Sequence, residues 1–374
     1  MLTRRIGRRG FVQLGGCSVL GACATVPGIA EATAAERAAR LVSRSMVING
    51  NLLPGFPDIP EDADFAAQVR ATGLTAVKFS LAGPNPTFAE TQEYIAGIDD
   101  AIVANARYFT KIGSAQDLLV AKHSERVGVI YAFEATTMLE GNVARIDVFH
   151  RLGVRSMQLS YNGASPFAAG VNIADSEGGL TELGREAVDR MNTLGVTIDA
   201  SHSNARSTSE IIAASQRPVM ISHAGCAAVH PHPRNRSDAT LRAIADSGGL
   251  VGLYELPFLT PGSAQQGLAD LMRHIEHALN VCGEDGVGIG SDGLMFGFDT
   301  SEESLQHWNA SIEARREAGV SAPGEGPPPF VTELNGPHRM VRLAEELLRR
   351  GHRESVVEKV LGRNFLRVFA ETWA

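Results

Sequence analysis

Cysteine is scarce in this 374-residue sequence, which contains only Cys17, Cys23, Cys226 and Cys282. No two of them form a Cys-x-x-Cys pair, so a structural zinc knuckle is excluded. Because the first two lie near the N-terminus, only Cys226 and Cys282 remain as candidates for a disulfide in the body of the protein. The sequence alone does not tell whether these two thiols meet.

Strongly basic segments and nucleotide-binding fingerprints are also missing. The formal net charge is −8, and no basic run stands out after the first nine residues, so we expect no nucleic-acid partner. The glycine fingerprints of phosphate loops and dinucleotide sites are absent. The hydrophobic share of 44% is ordinary, which excludes collagen-like, disordered and multi-span membrane proteins and allows one large core.

The N-terminus has the pattern of an export signal. Arg8 and Arg9 are followed by Phe11, and a stretch of small and apolar residues runs from Gly15 to Ala30. Paired arginines before a weakly apolar stretch are typical of a twin-arginine signal. The stretch is too short and too rich in glycine and alanine for a durable membrane span. The alternative is a basic tail without a targeting role.

We therefore predict an export signal over residues 1–34 and a single domain over residues 35–374. Leu20–Cys23 resembles a lipoprotein box, which would leave a lipid on Cys23, whereas small-x-small cleavage sites lie at residues 30–34. The predicted location is the periplasm or the outside of the cell. Contact with a membrane is expected only through export by the twin-arginine pathway or through a lipid anchor.

Short apolar runs alternate with amphipathic helical patterns along most of the chain. Eight apolar runs separated by helices indicate a parallel sheet closed into a barrel, a fold that takes about 250 residues or more. We therefore predict an α/β fold, a (β/α)8 TIM barrel of the metal-dependent hydrolase type, with an open doubly wound sheet as the alternative. The predicted strands are Ser45–Ile48, Ala76–Ser80, Gly128–Phe133, Ser156–Ser160, Thr197–Ala200, Val219–Ser222, Leu250–Tyr254 and Val287–Ile289.

Helical periodicity fills the intervals between these strands. Two more helical segments follow near the C-terminus, and we expect them to close the barrel. One helix carries His274 and His277 one turn apart, which we predict to lie on a solvated face outside any metal site. The predicted helices include Asp62–Thr72, Tyr94–Lys111, Leu183–Leu194, Ser207–Ser215, Asp238–Ser247, Gly267–Val281, Val341–Arg350 and Ser355–Ala374.

Four residues able to bind metal or move protons follow predicted strands. They are Glu134, His202, His223 and Asp292. In a (β/α)8 barrel the chemistry occurs where the strands end, and successive strands bring their ends together. Each residue type alone is more often structural, but two imidazoles and one carboxylate form a set that suits Zn²⁺ with an open position for water. We therefore predict a zinc site at this end of the barrel.

The order of the motifs resembles the membrane dipeptidase family of zinc peptidases, from about Met46 to Trp373. A strand that ends in Asp199-Ala200-Ser201-His202 and a following strand that ends in His223 are similar to that family's consecutive strands. The remaining similar segments are Gly179–Gly184, His232–Asp238, Gly288–Asp292 and Gly362–Phe369.

The resemblance implies roles for individual residues. Glu134 would be the bridging carboxylate, and His202 and His223 the ligands of the second zinc. Arg234 would hold the carboxylate of the substrate, because a guanidinium group fits a carboxylate bidentately, and Asp292 would exchange protons with the attacking water. Glu140, which precedes Gly141, is the alternative for Glu134, but Glu134 directly follows an apolar strand. The resemblance also implies a homodimer.

The sequence departs from the family at two places. Where the family has the His-x-Asp ligands of the first zinc, this chain has Asn49 and Asn51, and an amide oxygen is a poor Zn²⁺ ligand. Where the family has a histidine that polarises the scissile carbonyl, this chain has Tyr161, whose phenol can still donate a hydrogen bond to an oxyanion. We therefore expect one zinc, with two as the alternative.

These residues predict an exported zinc-dependent hydrolase that cleaves the amide bond of dipeptides or of small dipeptide-like molecules. One metal is sufficient for this chemistry, because it lowers the pKa of water and polarises the carbonyl. Asp292 would manage the proton of the water and Tyr161 would steady the oxyanion. The alternative is a weak or inactive homologue that binds a ligand or assists maturation in the periplasm.

Overall fold

A computed structural model of the chain describes residues 32–57, 63–83, 85–262 and 265–373. The predicted export signal, with its paired arginines and Cys23, lies outside these residues except for its last three positions. Residues Ala34–Ala374 form one compact unit. Within the described part of the chain, the helices are all too short or too polar to span a bilayer.

Eight parallel strands form a closed barrel, as predicted from the sequence. Each strand pairs with the next along the chain, and β8 pairs with β1 through Ile289 and Asn49. Between β5 and β6 the contact is a bridge of Asp199 with Met220, which completes the circle. The strands are β1 Ile48–Asn49, β2 Ala76–Ser80, β3 Val127–Phe133, β4 Val154–Met157, β5 Thr197–Ile198, β6 Ile221–Cys226, β7 Val251–Leu253 and β8 Val287–Ile289.

Helices surround the barrel and cover both of its ends. Most predicted helices agree with the observed ones within two residues. The α-helices are α1 Ala34–Arg44, α2 Ala63–Thr72, α3 Phe88–Ala104, α4 Ala115–His123, α5 Arg145–Arg151, α6 Glu182–Leu194, α7 Ala205–Ala214, α8 Asp238–Asp246, α9 Leu268–Cys282, α10 Glu302–Glu317, α11 Arg339–Arg349, α12 Glu354–Glu358 and α13 Asn364–Thr372.

The predicted helix Tyr94–Lys111 is wrong at both ends. Helix α3 begins six residues earlier, because Thr87 and Glu90 form a reciprocal capping box that satisfies free N–H groups of the first turn. The helix ends at Ala104, and Phe109–Lys111 instead forms a short strand that pairs with β3 outside the barrel. Helical periodicity continues through this segment, but Val127–Val129 at the start of β3 do not pair with β4, and Phe109–Lys111 forms the ladder with them instead.

The C-terminal helix α13 closes the N-terminal end of the barrel, as expected. Phe365, Val368 and Phe369 are fully buried in an apolar cluster with residues that point into the barrel, among them Ile48 and Ile130. Removing this much apolar surface from water stabilises the fold by about 2 kcal/mol for each large side chain. One end of the barrel is thereby filled, and the opposite end is left to carry the polar residues.

Candidate metal centre and active site

Three of the predicted ligands come together at one end of the barrel, where Glu134 and His202 follow β3 and β5, and His223 lies inside β6 and not after it as predicted. Ligand atoms of Glu134, His202 and His223 all lie within 4.8 Å of one another. The two Nε2 atoms of the histidines are 3.0 Å apart, and His223 Nε2 lies 4.0 Å from Glu134 Oε1. Asp292 Oδ2 is also 4.0 Å from His223 Nε2. Four residues from distant parts of the sequence therefore face one small volume.

The hydrogen bonds of the two histidines determine which nitrogen carries the proton. His202 Nδ1 lies 2.7 Å from Asn162 Oδ1, which can only accept, so this nitrogen must donate. His223 Nδ1 lies 2.8 Å from the Ser222 hydroxyl, whose own hydrogen is directed to Asp199. Both rings therefore hold their proton on Nδ1 and present Nε2 as an unprotonated lone pair.

Two lone pairs that converge at 3.0 Å repel each other unless a cation lies between or beside them. Burial and then the charge of Arg234 hold the pKa of both His202 and His223 well below the usual range, so protonation does not remove the repulsion near neutral pH. With the Glu134 carboxylate nearby, the residues present fit a zinc ion: two neutral imidazole nitrogens and one carboxylate oxygen.

Asp199 holds the residues that precede His202 and His223 in place through hydrogen bonds. It is fully buried and accepts hydrogen bonds from the backbone N–H groups of Ser201 and Ser222 and from both of their hydroxyls. Because Ser222 is also the partner of His223, this carboxylate orients a candidate ligand through one intervening hydroxyl. The motif Asp-x-Ser-His identified this segment in the sequence, but it did not reveal the role of Asp199.

Lys78 and Ser80 also form hydrogen bonds with residues of the centre. Neither was identified from the sequence. The Lys78 side chain is completely buried, with Nζ 3.3 Å from Asn51 Oδ1 and 3.3 Å from Asp199 Oδ2. The Ser80 hydroxyl lies 2.9 Å from Glu134 Oε1. The sequence does contain a clue to Lys78, because a lysine within the apolar run Ala76–Ser80 is unusual for a buried barrel strand.

Asn51 connects two of the carboxylates. Its Nδ2 donates to Glu134 Oε1 at 2.6 Å and to Asp292 Oδ1 at 2.7 Å. Asn49 has a different function, because its amide bonds the Ser291 side chain and backbone and holds β1 to the end of β8. The two asparagines seen in the sequence therefore contribute hydrogen bonds where charged ligands were expected from the resemblance.

Asp292 has an unusual backbone and an unusual acidity. Its φ of 57° lies in the left-handed region, which aspartate tolerates better than most residues. Burial, followed by the charge of Glu134, raises the pKa of Asp292 to about 7. A carboxylate with a pKa near neutral pH can both accept and return a proton.

Tyr161 lies against His202 and lines the cavity next to the centre. The two rings stack at 4.2 Å, and Arg315 Nη2 donates to the Tyr161 oxygen at 3.0 Å. Arg315 is in turn paired with Glu325. Burial, followed by the charge of Glu134, raises the pKa of Tyr161 to about 12, so the phenol keeps its proton for donation. Neither Arg315 nor Glu325 was identified from the sequence.

Arg234 is the clearest ligand-binding group in the site. It is 3% exposed, and none of the described residues accepts a hydrogen bond from its Nε or Nη2. A buried guanidinium with unused donors is costly, so such a group is typical of a binding site for an anion. It lines a cavity of ≈ 360 Å³ together with Asp292 and Tyr161.

The rest of this cavity is mostly apolar. The helix α10 and the chain that follows it cover the mouth of the barrel, with Phe298, Trp308 and Pro329 on one wall. Leu256 and Phe258 form part of the other. The arrangement gives one polar end, at the carboxylates and Arg234, and a larger apolar region suited to a hydrocarbon side chain.

Several other sequence-level candidates lie outside the centre. Glu140, the alternative to Glu134, is exposed and pairs with Arg145 and the N–H of Phe88. The prediction that His274 is solvated is wrong, because its ring is fully buried and accepts from the N–H of Cys226. Cys226 and Cys282 are both free thiols.

Comparison with known proteins agrees with the resemblance seen in the sequence. A model of the membrane dipeptidase family, Peptidase family M19, matches residues 64–316, which is more than half of the chain. A Klebsiella pneumoniae protein described as an uncharacterized protein in the pqqA 5′ region is 29% identical over 269 residues, which are 70% of this chain and 88% of that protein.

Two further proteins extend the comparison. The dipeptidase verJ of Clonostachys rogersoniana is 27% identical over 70% of this chain, but the match spans only 60% of verJ, less than two thirds of its length. A crystal structure of an amidohydrolase from Pseudomonas aeruginosa is 31% identical and superposes with a TM-score of 0.78, covering 90% of this chain and 99% of that one. The chain therefore belongs to the membrane dipeptidase family.

Proposed function

We propose that this protein is an exported, zinc-dependent hydrolase that cleaves the amide bond of dipeptides or dipeptide-like small molecules. The observation that carries the proposal is the convergence of two unprotonated imidazole nitrogens and Glu134 beside the unused donors of buried Arg234. The first group suits a zinc ion, and the second suits the carboxylate at the end of a dipeptide.

Each residue has a defined task in this reaction. Arg234 binds the substrate carboxylate and places the amide bond next to Glu134, His202 and His223. The ion that these three would hold supplies a lowered pKa for water and polarisation of the carbonyl. Asp292 accepts the proton of the attacking water and returns it to the departing amine. Tyr161 donates its hydroxyl hydrogen to the oxygen that gains negative charge.

The cavity favours substrates with an apolar side chain. Its walls near Phe298, Trp308 and Phe258 can bury such a group but offer few polar partners, so a polar side chain would lose hydrogen bonds to water. We therefore propose dipeptides with an aromatic or branched aliphatic residue as preferred substrates over those made of glycine.

Metal analysis and hydrolysis assays on the same purified protein test the proposal. We expect about one zinc per chain and cleavage of apolar dipeptides that is lost with a chelator and restored by Zn²⁺. If the protein binds zinc but cleaves no dipeptide, the proposed hydrolase activity is excluded. A protein that binds neither zinc nor dipeptides would exclude both parts of the proposal.

One observation favours a second candidate, a weak or inactive relative that binds a peptide-like ligand in the periplasm or assists maturation. The Asn51 amide donates to Glu134 Oε1 and Asp292 Oδ1, so these two oxygens have less capacity left to bind a metal ion or a water molecule. Binding of an apolar dipeptide without turnover, measured by calorimetry, would support this candidate. The same calorimetry on Arg234→Gln would show whether the ligand uses the proposed carboxylate site.

Export and assembly are proposals that rest on the sequence. Replacing Arg8 and Arg9 by lysine in the full chain is expected to retain the protein in the cytoplasm, as measured by cell fractionation, whereas the same change at Arg4 and Arg5 leaves export unaffected. A Cys23→Ala variant that still fractionates with the membrane would argue against lipid attachment. Light scattering on the purified protein tests the homodimer.

A further inference from the structure

The Lys78 ammonium is an internal cation beside the proposed metal centre. Its side chain is fully buried, and its three N–H groups have three oxygen partners, on Asn51 and Asp199 at 3.3 Å and on Ser80 at 3.5 Å. A buried lysine is costly unless all its donors are paired, so the surrounding oxygens form a site built for this charge.

The neutral amide of Asn51 links this ammonium to the carboxylates. Its oxygen accepts from Lys78, which leaves both hydrogens of Nδ2 directed to Glu134 Oε1 and Asp292 Oδ1. The single hydrogen of the Ser80 hydroxyl lies within reach of the same Glu134 oxygen at 2.9 Å and of Asn51 Oδ1 at 3.0 Å. Glu134 Oε1 therefore already accepts from the Asn51 amide and has the Ser80 hydroxyl within hydrogen-bond distance, which leaves it less able to bind a second metal ion.

We infer that Lys78 and Asn51 together take the position of a second metal ion and limit the centre to one divalent cation. The inference rests on the proposed function in one respect only, namely that the centre formed by Glu134, His202 and His223 binds a divalent ion. In this arrangement Lys78 is a positioning residue, because it holds Asn51 and Asp199 and does not touch the substrate.

The charges of the region support this inference. Glu134, Asp199 and Asp292 contribute three carboxylates, and the cations Lys78, Arg234 and Arg236 lie around the same histidines. One divalent ion and a substrate carboxylate can be accommodated there. A second divalent ion would add two positive charges, with no further carboxylate among these residues to offset them.

A pair of substitutions separates the roles of the two residues. Asn51→Asp supplies an additional carboxylate but keeps the ammonium, so we expect it to bind the same number of ions as the wild type. The combination Asn51→Asp with Lys78→Gln removes one positive charge and adds one negative charge, so the net charge falls by two units, which equals the charge of one divalent ion. We expect the double variant to bind one Mn²⁺ more than Asn51→Asp, because three carboxylates suit manganese.

The experiment is a titration of metal-free protein with Mn²⁺, followed by gel filtration, elemental analysis and electron paramagnetic resonance. The matched control combines Asn51→Asp with Lys122→Gln, since Lys122 lies on α4 and donates to the Ser43 carbonyl, away from the residues of the centre. The control is expected to bind as many ions as Asn51→Asp. A gain of one ion with spin coupling between two Mn²⁺ ions in the double variant alone supports the inference.

Two results would overturn it. One is an equal ion count in Asn51→Asp and in the folded double variant, or a gain already in Asn51→Asp. The other, which needs no variant, is a spin-coupled manganese pair in the wild type. A wild type that binds no ion would contradict the proposed function, and the inference with it. That outcome is distinguishable from the two results above, because both of them require bound manganese.

Discussion

At the scale of single residues, the site is determined by which hydrogen-bonding groups are satisfied and which are left unused. Asn162 and Ser222 force the protons of His202 and His223 onto Nδ1, so Nε2 is free to bind a cation. Arg234, by contrast, keeps unused donors in the cavity. The same rule, that buried polar groups need partners, therefore indicates where the protein is complete and where a ligand is expected.

Substitution of Arg234 by lysine tests its role directly. Lysine keeps the charge but not the planar pair of donors, so we expect a loss of about 2 kcal/mol of binding, which is roughly a thirtyfold rise in KM for dipeptides with a free carboxylate. The control is the corresponding dipeptide amide, whose lower activity should be nearly the same in both proteins. An equal loss for both substrates would show that Arg234 does not bind the carboxylate.

At the scale of elements, helix α10 and the loop after it decide what the cavity accepts. Trp308 lies on α10, donates to the Gly326 carbonyl at 2.7 Å and packs edge-on against Phe298. Arg315, two turns later, bonds Tyr161. Helix α10 therefore supplies part of the apolar wall through Trp308 and positions Tyr161, the proposed oxyanion donor, through Arg315.

Replacing Trp308 by alanine removes a large part of that wall. We expect KM for an aromatic dipeptide to rise about thirtyfold, since burial of an aromatic side chain contributes on the order of 2 kcal/mol, while the already weak cleavage of a glycine dipeptide changes little. Trp308→Phe should keep most of the selectivity. Steady-state kinetics on the two substrates measures the effect, and a similar change for both would mean that Trp308 does not contact the side chain.

Helix α9 carries a buried histidine that makes stability depend on pH. His274 Nδ1 accepts from the Cys226 N–H, and its Nε2 donates to the Leu259 carbonyl, so the neutral ring is required. Burial lowers the pKa of His274 to about 4, against about 6.5 in the unfolded chain. The stability contributed by the neutral ring is complete above pH 6.5 and is lost as the pH falls toward 4.

We therefore expect the free energy of unfolding to fall between pH 7.5 and pH 5 by about 2 kcal/mol more in the wild type than in His274→Gln. Glutamine can keep both hydrogen bonds but does not titrate. Urea denaturation at the two pH values measures the difference, and His123→Gln, at an exposed helix end, serves as the control. Identical pH dependence in wild type and His274→Gln would contradict the assignment.

At the scale of the whole molecule, the two ends of the barrel are specialised. The N-terminal end is filled by α13, whose Phe369 is fully buried and stacks on Trp373 at 4.4 Å. The other end holds the carboxylates, histidines and Arg234. Stability and chemistry therefore depend on separate sets of residues, as is usual for this architecture.

Phe369→Ala is expected to lower the free energy of unfolding by about 3–5 kcal/mol, because it leaves a cavity in the closed end of the barrel. The zinc content and KM of the folded fraction should stay unchanged, since Phe369 lies at the end opposite to the site. Phe369→Leu should cost less than half as much. Loss of zinc without loss of stability would show that the two ends are not separate.

The sequence by itself predicted the barrel, the family and the candidate residues Glu134, His202, His223, Arg234 and Asp292, because strand alternation and the family's motifs are local patterns. Only the tertiary structure decided what surrounds them. The contacts of Lys78 with Asp199 and of Arg315 with Tyr161 join residues more than a hundred positions apart. Closure of the barrel creates such contacts, and local periodicity contains no information about them.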